Sequence, residues 1–325
     1  MNPPATVAVV DIGSNSIKLL VAARDASGGG LLPLHQRTEE TRIGTGITER
    51  PPRLRDDAMD RAVVSVRSLL ADAAAHGART VRIVATSAVR DAVNRDVFIE
   101  RLHAATGHRL VVLSGAEEAQ GIGRGIACDP AVAGTREFYL FDLGGGSLEM
   151  LAFRGGAASQ VASLQLGCVR VTERCLPDPA RALTAGEIEA VRSHVREVIR
   201  DSGFVFRLEQ PVCAVVTGGT ATTFRAVEAA ASGKAFLATS PVLPVAALNA
   251  LGLRLATLAI DDRRTIPGVP AARADVFPAA LLTLVELAGF ARAPEFRHSF
   301  ITLRFGVADE LLHPGPDNPR LSGPG

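Results

Sequence analysis

Two short segments of this 325-residue chain repeat one pattern of residues suited to binding an anion. DIGSNS at 11–16 and DLGGGS at 142–147 share the order Asp-aliphatic-Gly-x-x-Ser. Glycine lets the backbone approach a ligand closely, and backbone N–H groups in a tight turn donate to phosphate oxygens without a charge to desolvate. The candidate phosphate-binding residues of these turns are Gly13, Ser14, Asn15, Ser16, Gly144, Gly145, Gly146 and Ser147.

Each of the two segments lies between apolar runs, which predicts a strand-turn-strand hairpin. The repetition predicts two related half-molecules whose turns face each other across a cleft. Such turns would hold the terminal phosphoryl group of a phosphoanhydride from both sides. The alternative is a pair of ordinary hairpins, because a glycine turn after a strand is common.

A carboxylate precedes each turn within an apolar strand, at Asp11 and Asp142. A buried carboxylate is costly unless it is paired or coordinates a cation. Glu149 follows the second turn, where a hairpin would bring it level with Asp142; the alternative is a solvated strand residue. Asp11, Asp142 and Glu149 are therefore a candidate site for Mg²⁺, or secondarily Mn²⁺, bound partly through water.

The elements that must position these residues alternate between strands and helices, which indicates an α/β fold. Apolar runs predict strands over 7–12, 17–23, 80–86, 109–113, 137–143, 148–154 and 212–217. Helical spacing predicts helices over 56–76, 91–105, 114–127, 184–201, 241–260 and 275–291. Caps are expected from Asp56 or Asp57, from Ser114, and from Thr184 with Glu187. Proline and glycine predict disorder over 313–325.

The composition argues against several classes of protein. The formal net charge is +1, whereas a nucleic-acid or membrane-surface binder usually has a strong basic excess. The four cysteines lack metal-binding spacing, so neither a zinc site nor a disulfide framework is expected, and a reducing compartment fits them. No signal peptide or spanning apolar run is visible. We expect a cytoplasmic protein with no nucleic-acid or membrane partner.

Several motifs, taken together, resemble the exopolyphosphatase / guanosine pentaphosphate phosphohydrolase family of the acetate and sugar kinase, chaperone and actin superfamily. They are DIGSNSIKLLVA (11–22), RIGTGI (42–47), ATSAVRDA (85–92), LSGAEEA (113–119), FDLGGGSLEM (141–150), TGGTATTFRAV (217–227), RADVFPAA (273–280) and LRFGVADELL (303–312). The resemblance implies two ribonuclease H-like (actin-like) domains with the active site in the cleft between them. The implied domains are 1–118 plus about 300–312, and 119–299.

The resemblance also implies roles for individual residues. Glu118, which precedes the alanine of the S-G-x-E-E-A motif, would orient and deprotonate the attacking water, with Glu117 as the alternative. Asp142 and Glu149 would support magnesium. Without the resemblance, two adjacent glutamates at a helix start would be read as a complement to the helix dipole.

Three further implications concern phosphate and nucleotide contacts. Arg90 matches the arginine of the A-T-S-A-x-R element, which contacts phosphate in the family, and Arg42 is expected to do likewise. Gly218, Gly219 and Thr220 occupy the place where the superfamily's nucleotide binders contact adenosine.

The implied reaction is release of terminal phosphate from inorganic polyphosphate, with guanosine pentaphosphate as the alternative substrate. Two other classes stay open: a kinase of the same superfamily, against which the S-G-x-E-E-A motif argues, and a nucleotide-binding regulatory module. The resemblance implies a homodimer. We also expect a hinge between the domains that opens and closes the cleft.

Overall fold

The computed structural model describes residues 6–24, 30–130, 132 and 134–313. Its strands form two mixed sheets, one of five strands and one of six. The disorder predicted for 313–325 falls, except for His313, outside the described residues.

The first sheet is built around a meander of three strands. Its members are β1 (Thr6–Ile12), β2 (Ser16–Arg24), β3 (Leu31–Glu40), β4 (Thr80–Ala85) and β5 (Leu110–Val112). The first three pair antiparallel, whereas β4 and β5 continue the sheet parallel to β1. The strand order is therefore β3-β2-β1-β4-β5.

The second sheet repeats this arrangement and extends it by one strand. Its members are β6 (Phe138–Leu143), β7 (Leu148–Arg154), β8 (Ala157–Leu164), β9 (Cys213–Thr217), β10 (Val242–Pro244) and β11 (Glu295–His298). The order is β10-β11-β9-β6-β7-β8, with β6, β7 and β8 as the meander and β9 parallel to β6. Each repeated turn thus joins the first two strands of a meander, which confirms both predicted hairpins.

Helices surround and separate the sheets. They are α1 (Asp56–Ala75), α2 (Ser87–Asp91), α3 (Arg95–Thr106), α4 (Gly115–Ile126), α5 (Cys168–Cys175), α6 (Ala185–Asp201), α7 (Gly219–Ser232), α8 (Val245–Ala256), α9 (Ile260–Thr265), α10 (Phe277–Ala291) and α11 (Leu303–Leu312). The predicted caps of α4 and α6 are complete capping boxes, made by Ser114 with Glu117 and by Thr184 with Glu187. Within the described residues, no helix has the length and apolar character needed to span a bilayer.

Two predicted helices are interrupted. Of the helix expected over 91–105, Asp91 is the last residue of α2 and the remainder begins only at Arg95, as α3; in the connection the Asn94 side chain bonds both backbone groups of Leu54. The helix expected over 241–260 begins instead as strand β10, which pairs with β11, and α8 starts only after Pro244.

The cap predicted for α1 is also wrong. Its N-cap residue is Arg55, which makes no side-chain cap, and Asp56 and Asp57 lie within the first turn. Their carboxylates bond Arg101 and Arg61 instead.

Three apolar clusters define the layers. Helices α1, α2 and α3 cover the outer face of the first sheet, and α5, α6, α8 and α10 cover that of the second. Between the sheets, α11 packs on the first and α4 on the second, and the two helices pack on each other. Arg304 of α11 donates to the Leu19 carbonyl at 2.8 Å. Since α4 runs unbroken across the 118/119 boundary, that boundary stays a prediction.

Candidate active site

The two repeated turns have the same internal geometry and lie against each other. Gly13 N donates to Ser16 O at 3.1 Å, and Gly144 N donates to Ser147 O at 3.0 Å. A Cβ placed on Gly145 would be 3.0 Å from the backbone nitrogen of Asn15. The sequence prediction that the turns face each other is therefore confirmed.

Glycine is required at two positions beside this contact. A Cβ on Gly146 would be 2.6 Å from Ser87 Oγ and would also collide with Ser14 Oγ. Gly218 has a φ of +99°, and a Cβ there would lie 2.9 Å from Asp142 Oδ1. Side chains at these positions would push apart the walls of the cavity that the turns enclose.

That central cavity is small and polar. Its volume is about 60 Å³, several times the roughly 10–15 Å³ that one water needs, so it suits a single phosphoryl group. It is lined by both turns, by residues of the strands that flank them and by residues of other segments: Asp11, Lys18, Thr86, Ser87, Glu118, Asp142, Glu149, Gly218, Gly219, Arg273 and Thr302.

The three predicted metal carboxylates all line this cavity. Asp142 lies directly across from Glu149 in the β6–β7 pair, as expected for a hairpin, and Asp11 lies across from Lys18 in β1–β2. Desolvation raises the pKa of Asp11 and of Asp142, and Lys18 opposes the shift in both. Desolvation, reinforced by Glu118 and Asp142, raises the pKa of Glu149 well above its usual value.

The carboxylates fit a cation only in part. Asp11 Oδ1 is buried without a hydrogen-bond partner in the described part of the chain, which leaves a hard oxygen ligand available. However, no three acidic, cysteine or histidine side chains among the described residues converge closely enough to hold one metal ion. Among the described residues, Asp11, Asp142 and Glu149 therefore do not form a preformed three-ligand cage.

The two adjacent glutamates of α4 have different surroundings in the structure. The carboxylate of Glu117 accepts from Ser114 N at 2.8 Å and completes the capping box. Glu118 is only 7% exposed, lines the cavity, and accepts from Arg90 Nη1 at 2.8 Å. Desolvation raises the pKa of Glu118 to about 7, although the Arg90 hydrogen bond opposes the shift. A carboxylate with this pKa is matched to accepting a proton near neutral pH.

Neither of the predicted phosphate-binding arginines lines the central cavity. Arg90 donates to Glu118 and to the Leu113 carbonyl, so its guanidinium holds the glutamate. Arg42 forms an ion pair with Asp275 and lines a separate cavity of about 690 Å³. Arg42 thus lies outside the central cavity, and its predicted phosphate contact stays a prediction.

Only two of the three residues of the predicted nucleotide loop line a cavity. Gly218 and Gly219 line the central cavity and also a second, larger one of about 840 Å³. Thr220 is fully buried and accepts from Arg273 Nη2 at 3.4 Å, so it lines neither.

Several residues that line the cavity were not predicted from the sequence, among them Lys18, Thr86, Ser87, Arg273 and Thr302. Lys18 was detectable, since the hairpin register that follows from the turn places it across from Asp11. Ser87 lies in the quoted A-T-S-A-x-R element, and Arg273 in the Arg-Ala-Asp element. Arg273 Nε is buried with no partner in the described structure, which leaves a donor available beside Gly219.

Comparison with known proteins gives consistent results. A profile of the Ppx/GppA phosphatase family matches residues 20–314. Exopolyphosphatase 2 of Mycobacterium tuberculosis is 37% identical over 303 residues, covering 87% of this chain and 89% of that protein. Guanosine-5'-triphosphate,3'-diphosphate pyrophosphatase of Vibrio atlanticus is 29% identical, covering 95% of this chain and 60% of that protein.

Solved structures agree on the fold. An exopolyphosphatase from Cytophaga hutchinsonii superposes with a TM-score of 0.84 at 22% identity, covering 94% of this chain and 97% of that chain. The Aquifex aeolicus PPX-GPPA enzyme superposes with a TM-score of 0.75 at 25% identity, covering 95% of this chain and 100% of that chain. These matches confirm the predicted pair of actin-like domains.

Proposed function

Because the chain belongs to the Ppx/GppA phosphatase family and is a phosphoanhydride hydrolase, we propose that it is an exopolyphosphatase that releases the terminal phosphate of inorganic polyphosphate. The observation that carries this proposal is the contact between the two Gly-Ser turns, which enclose a phosphoryl-sized cavity together with Glu118. The name of the Mycobacterium tuberculosis relative supports the substrate.

The proposed reaction is an in-line displacement on the terminal phosphorus. A water oxygen forms the new P–O bond while the bond to the bridging oxygen breaks, and Glu118 accepts the water proton. Backbone N–H groups of the turns, with Lys18 and Arg273, stabilise the negative charge on the non-bridging oxygens.

Asp11 and Asp142 are the residues that would hold Mg²⁺ or Mn²⁺, with Glu149 acting through water. A bound divalent cation would supply further charge neutralisation at the phosphate oxygens. Mg²⁺ commonly binds through one or two carboxylates plus substrate phosphates, so the missing three-ligand cage does not conflict with this assignment.

A guanosine pentaphosphate 5'-phosphohydrolase is the second candidate, and one feature favours it. The larger cavity shares Lys18, Gly218, Gly219 and Arg273 with the central one, and it extends to the aromatic ring of Phe300. A basic and aromatic cavity beside the phosphate site has the character that a guanosine group requires. The Vibrio atlanticus relative agrees with this alternative.

The proposal includes a homodimer in the cytoplasm. Four free cysteines, Cys128, Cys168, Cys175 and Cys213, fit a reducing compartment. Light scattering during gel filtration tests the dimer directly.

Phosphate release from parallel substrates tests the function. Purified protein with Mg²⁺ is offered short polyphosphate, long polyphosphate and guanosine pentaphosphate, with no acceptor alcohol present. Glu118→Gln should reduce turnover by about 10²–10⁴-fold, the usual contribution of a general base, whereas Glu117→Gln should retain it. Release that requires an added hydroxyl acceptor would indicate a kinase, and activity unaffected by Glu118→Gln would refute the assigned base.

A further inference from the structure

Arg170 of α5 is a buried arginine whose contacts extend from one phosphate-binding turn to the other domain. Only 8% of it is exposed. Its Nε donates to the Gly146 carbonyl at 3.0 Å, within the second turn. Its Nη2 donates to Asp91 Oδ2 at 2.7 Å and lies 3.4 Å from Ser87 Oγ, both on α2.

The contacts continue from Asp91 to the proposed base. Asp91 Oδ1 lies 3.8 Å from Nε of Arg90, and Arg90 Nη1 donates to Glu118 Oε2 at 2.8 Å. A continuous series of charged side chains therefore joins the Gly146 carbonyl of the second turn to Glu118 on α4.

The hydrogen bond to Gly146 also fixes the orientation of the turn. In a trans peptide the N–H points away from the C=O, so holding the Gly146 carbonyl on Arg170 directs the Ser147 N–H to the opposite side. Ser147 lines the central cavity, whereas Arg170 does not.

We infer that Arg170 is a positioning residue that orients the second phosphate-binding turn and, through Asp91 and Arg90, holds Glu118 in place for proton transfer. This inference rests on the proposed function. Arg170 lies outside the central cavity in which the phosphoryl group would bind. A misplacement of about 1 Å at a reacting group can reduce turnover by about 10²-fold, so the effect of losing Arg170 is expected mainly in kcat.

The first test compares Arg170→Met with a matched arginine. Arg192 also bridges helices, donating to Glu286 at 2.9 Å and Asn249 at 2.8 Å, but it lines none of the cavities beside the turns. At temperatures where both variants are folded, Arg170→Met should lower kcat by about 10²-fold and Arg192→Met less than twofold. Arg170→Lys, which lacks the fork needed to reach two partners, should recover only part of the loss. Equal kcat values for the two methionine variants would overturn the inference.

A double-mutant cycle with Glu118→Gln separates positioning from general destabilisation. If Arg170 acts through the base, Arg170→Met should lower kcat much less in the Glu118→Gln background than in the wild type. If the losses of kcat from the two substitutions are fully additive, Arg170 does not act through Glu118 and the inference is overturned. Calorimetry then measures the affinity of the same four proteins for inorganic phosphate, a readout that needs no turnover. Wild-type protein inactive on every substrate would refute the proposed function, whereas unaltered phosphate affinity in Arg170→Met would refute the role in the turn.

Discussion

At the scale of single residues, Glu118 shows how an active-site requirement opposes stability. The carboxyl group has a pKa of 4.5 in an unfolded chain and about 7 in the folded protein, chiefly because burial disfavours its charge. A raised pKa in the folded state contributes stability that is full below pH 4.5 and is lost as the pH rises through about 7. At pH 8 the folded protein therefore holds a charged carboxylate at the expense of its own stability.

We predict that Glu118→Gln, while inactive, is more stable than the wild type at high pH. Glutamine carries no charge and can still accept the hydrogen bond from Arg90. The gain should approach about 3 kcal/mol at pH 8, since one pKa unit corresponds to about 1.4 kcal/mol, and it should largely vanish at pH 4.5. Urea unfolding at the two pH values measures it.

Glu117→Gln is the control for this prediction, because Glu117 is a neighbour in sequence that caps the helix instead of lining the cavity. Its substitution should give no gain that depends on pH. Equal stability of wild type and Glu118→Gln at pH 8 would show that Glu118 is not a buried charge.

The residues of the site differ in how far the sequence could predict them. The turn residues lie in short motifs whose chemistry is local, so their spacing was informative. Glu118 was predicted from the family resemblance, because two adjacent glutamates at a helix start would otherwise be read as a complement to the helix dipole. Arg170 meets Asp91 across 79 positions of sequence, and Arg273 meets Thr220 across 53. Nothing local distinguishes such arginines from surface ones in a chain so rich in arginine, and only the folded structure pairs them.

At the scale of elements, the predictions succeeded where the signal lies within one segment. Both hairpins and both capping boxes depend on neighbours only a few residues apart. The third strands, β3 and β8, were missed because they lie at sheet edges and are largely exposed, so their apolar pattern is weak. Helices α5 and α7 begin beside the packed turns, where tertiary contacts rather than caps set their start.

The packing of the turns gives a prediction at this scale. Gly146→Ala should separate the two turns, because its Cβ would collide with side chains of the first domain, including Ser87 Oγ at 2.6 Å. We expect kcat/KM to fall by about 10²-fold or more through the misplaced donors.

The matched substitution is Gly289→Ala within α10, where a Cβ meets nothing within 4 Å. It should leave kcat/KM unchanged and stabilise the protein by up to about 1 kcal/mol. Full activity in Gly146→Ala would mean that the turns need not touch for catalysis.

At the scale of the whole molecule, two similar sheets share the apolar cluster around α4 and α11, and polar contacts join the two halves around the cavity. Glu173 of α5 in the second domain accepts from Gly46 N at 2.8 Å and from Thr48 Oγ1 at 2.9 Å in the first. Arg42 and Asp275 form a second contact of this kind. Water can replace such contacts, so the expected hinge motion would break them without disturbing the apolar cores on the outer faces of the two sheets.

We predict that Glu173→Ala favours the open molecule. Losing this carboxylate removes its hydrogen bonds to Gly46 and Thr48, so a smaller fraction of molecules is closed and ready to bind phosphate. The apparent affinity falls with that fraction, which should raise KM several-fold while kcat changes little. Small-angle scattering should show a larger radius of gyration for the variant, and inorganic phosphate should reduce it.

Glu189→Ala is the control, since within the described part of the chain the Glu189 carboxylate bonds Ser193 and Arg196 of its own helix α6. It should match the wild type in KM and in scattering. If Glu173→Ala instead lowers kcat at constant KM, with the same radius of gyration as the wild type, the contact serves the chemical step and the domains do not move as rigid halves. The outcome decides whether the duplicated fold acts as a hinge or as a fixed frame for the two turns.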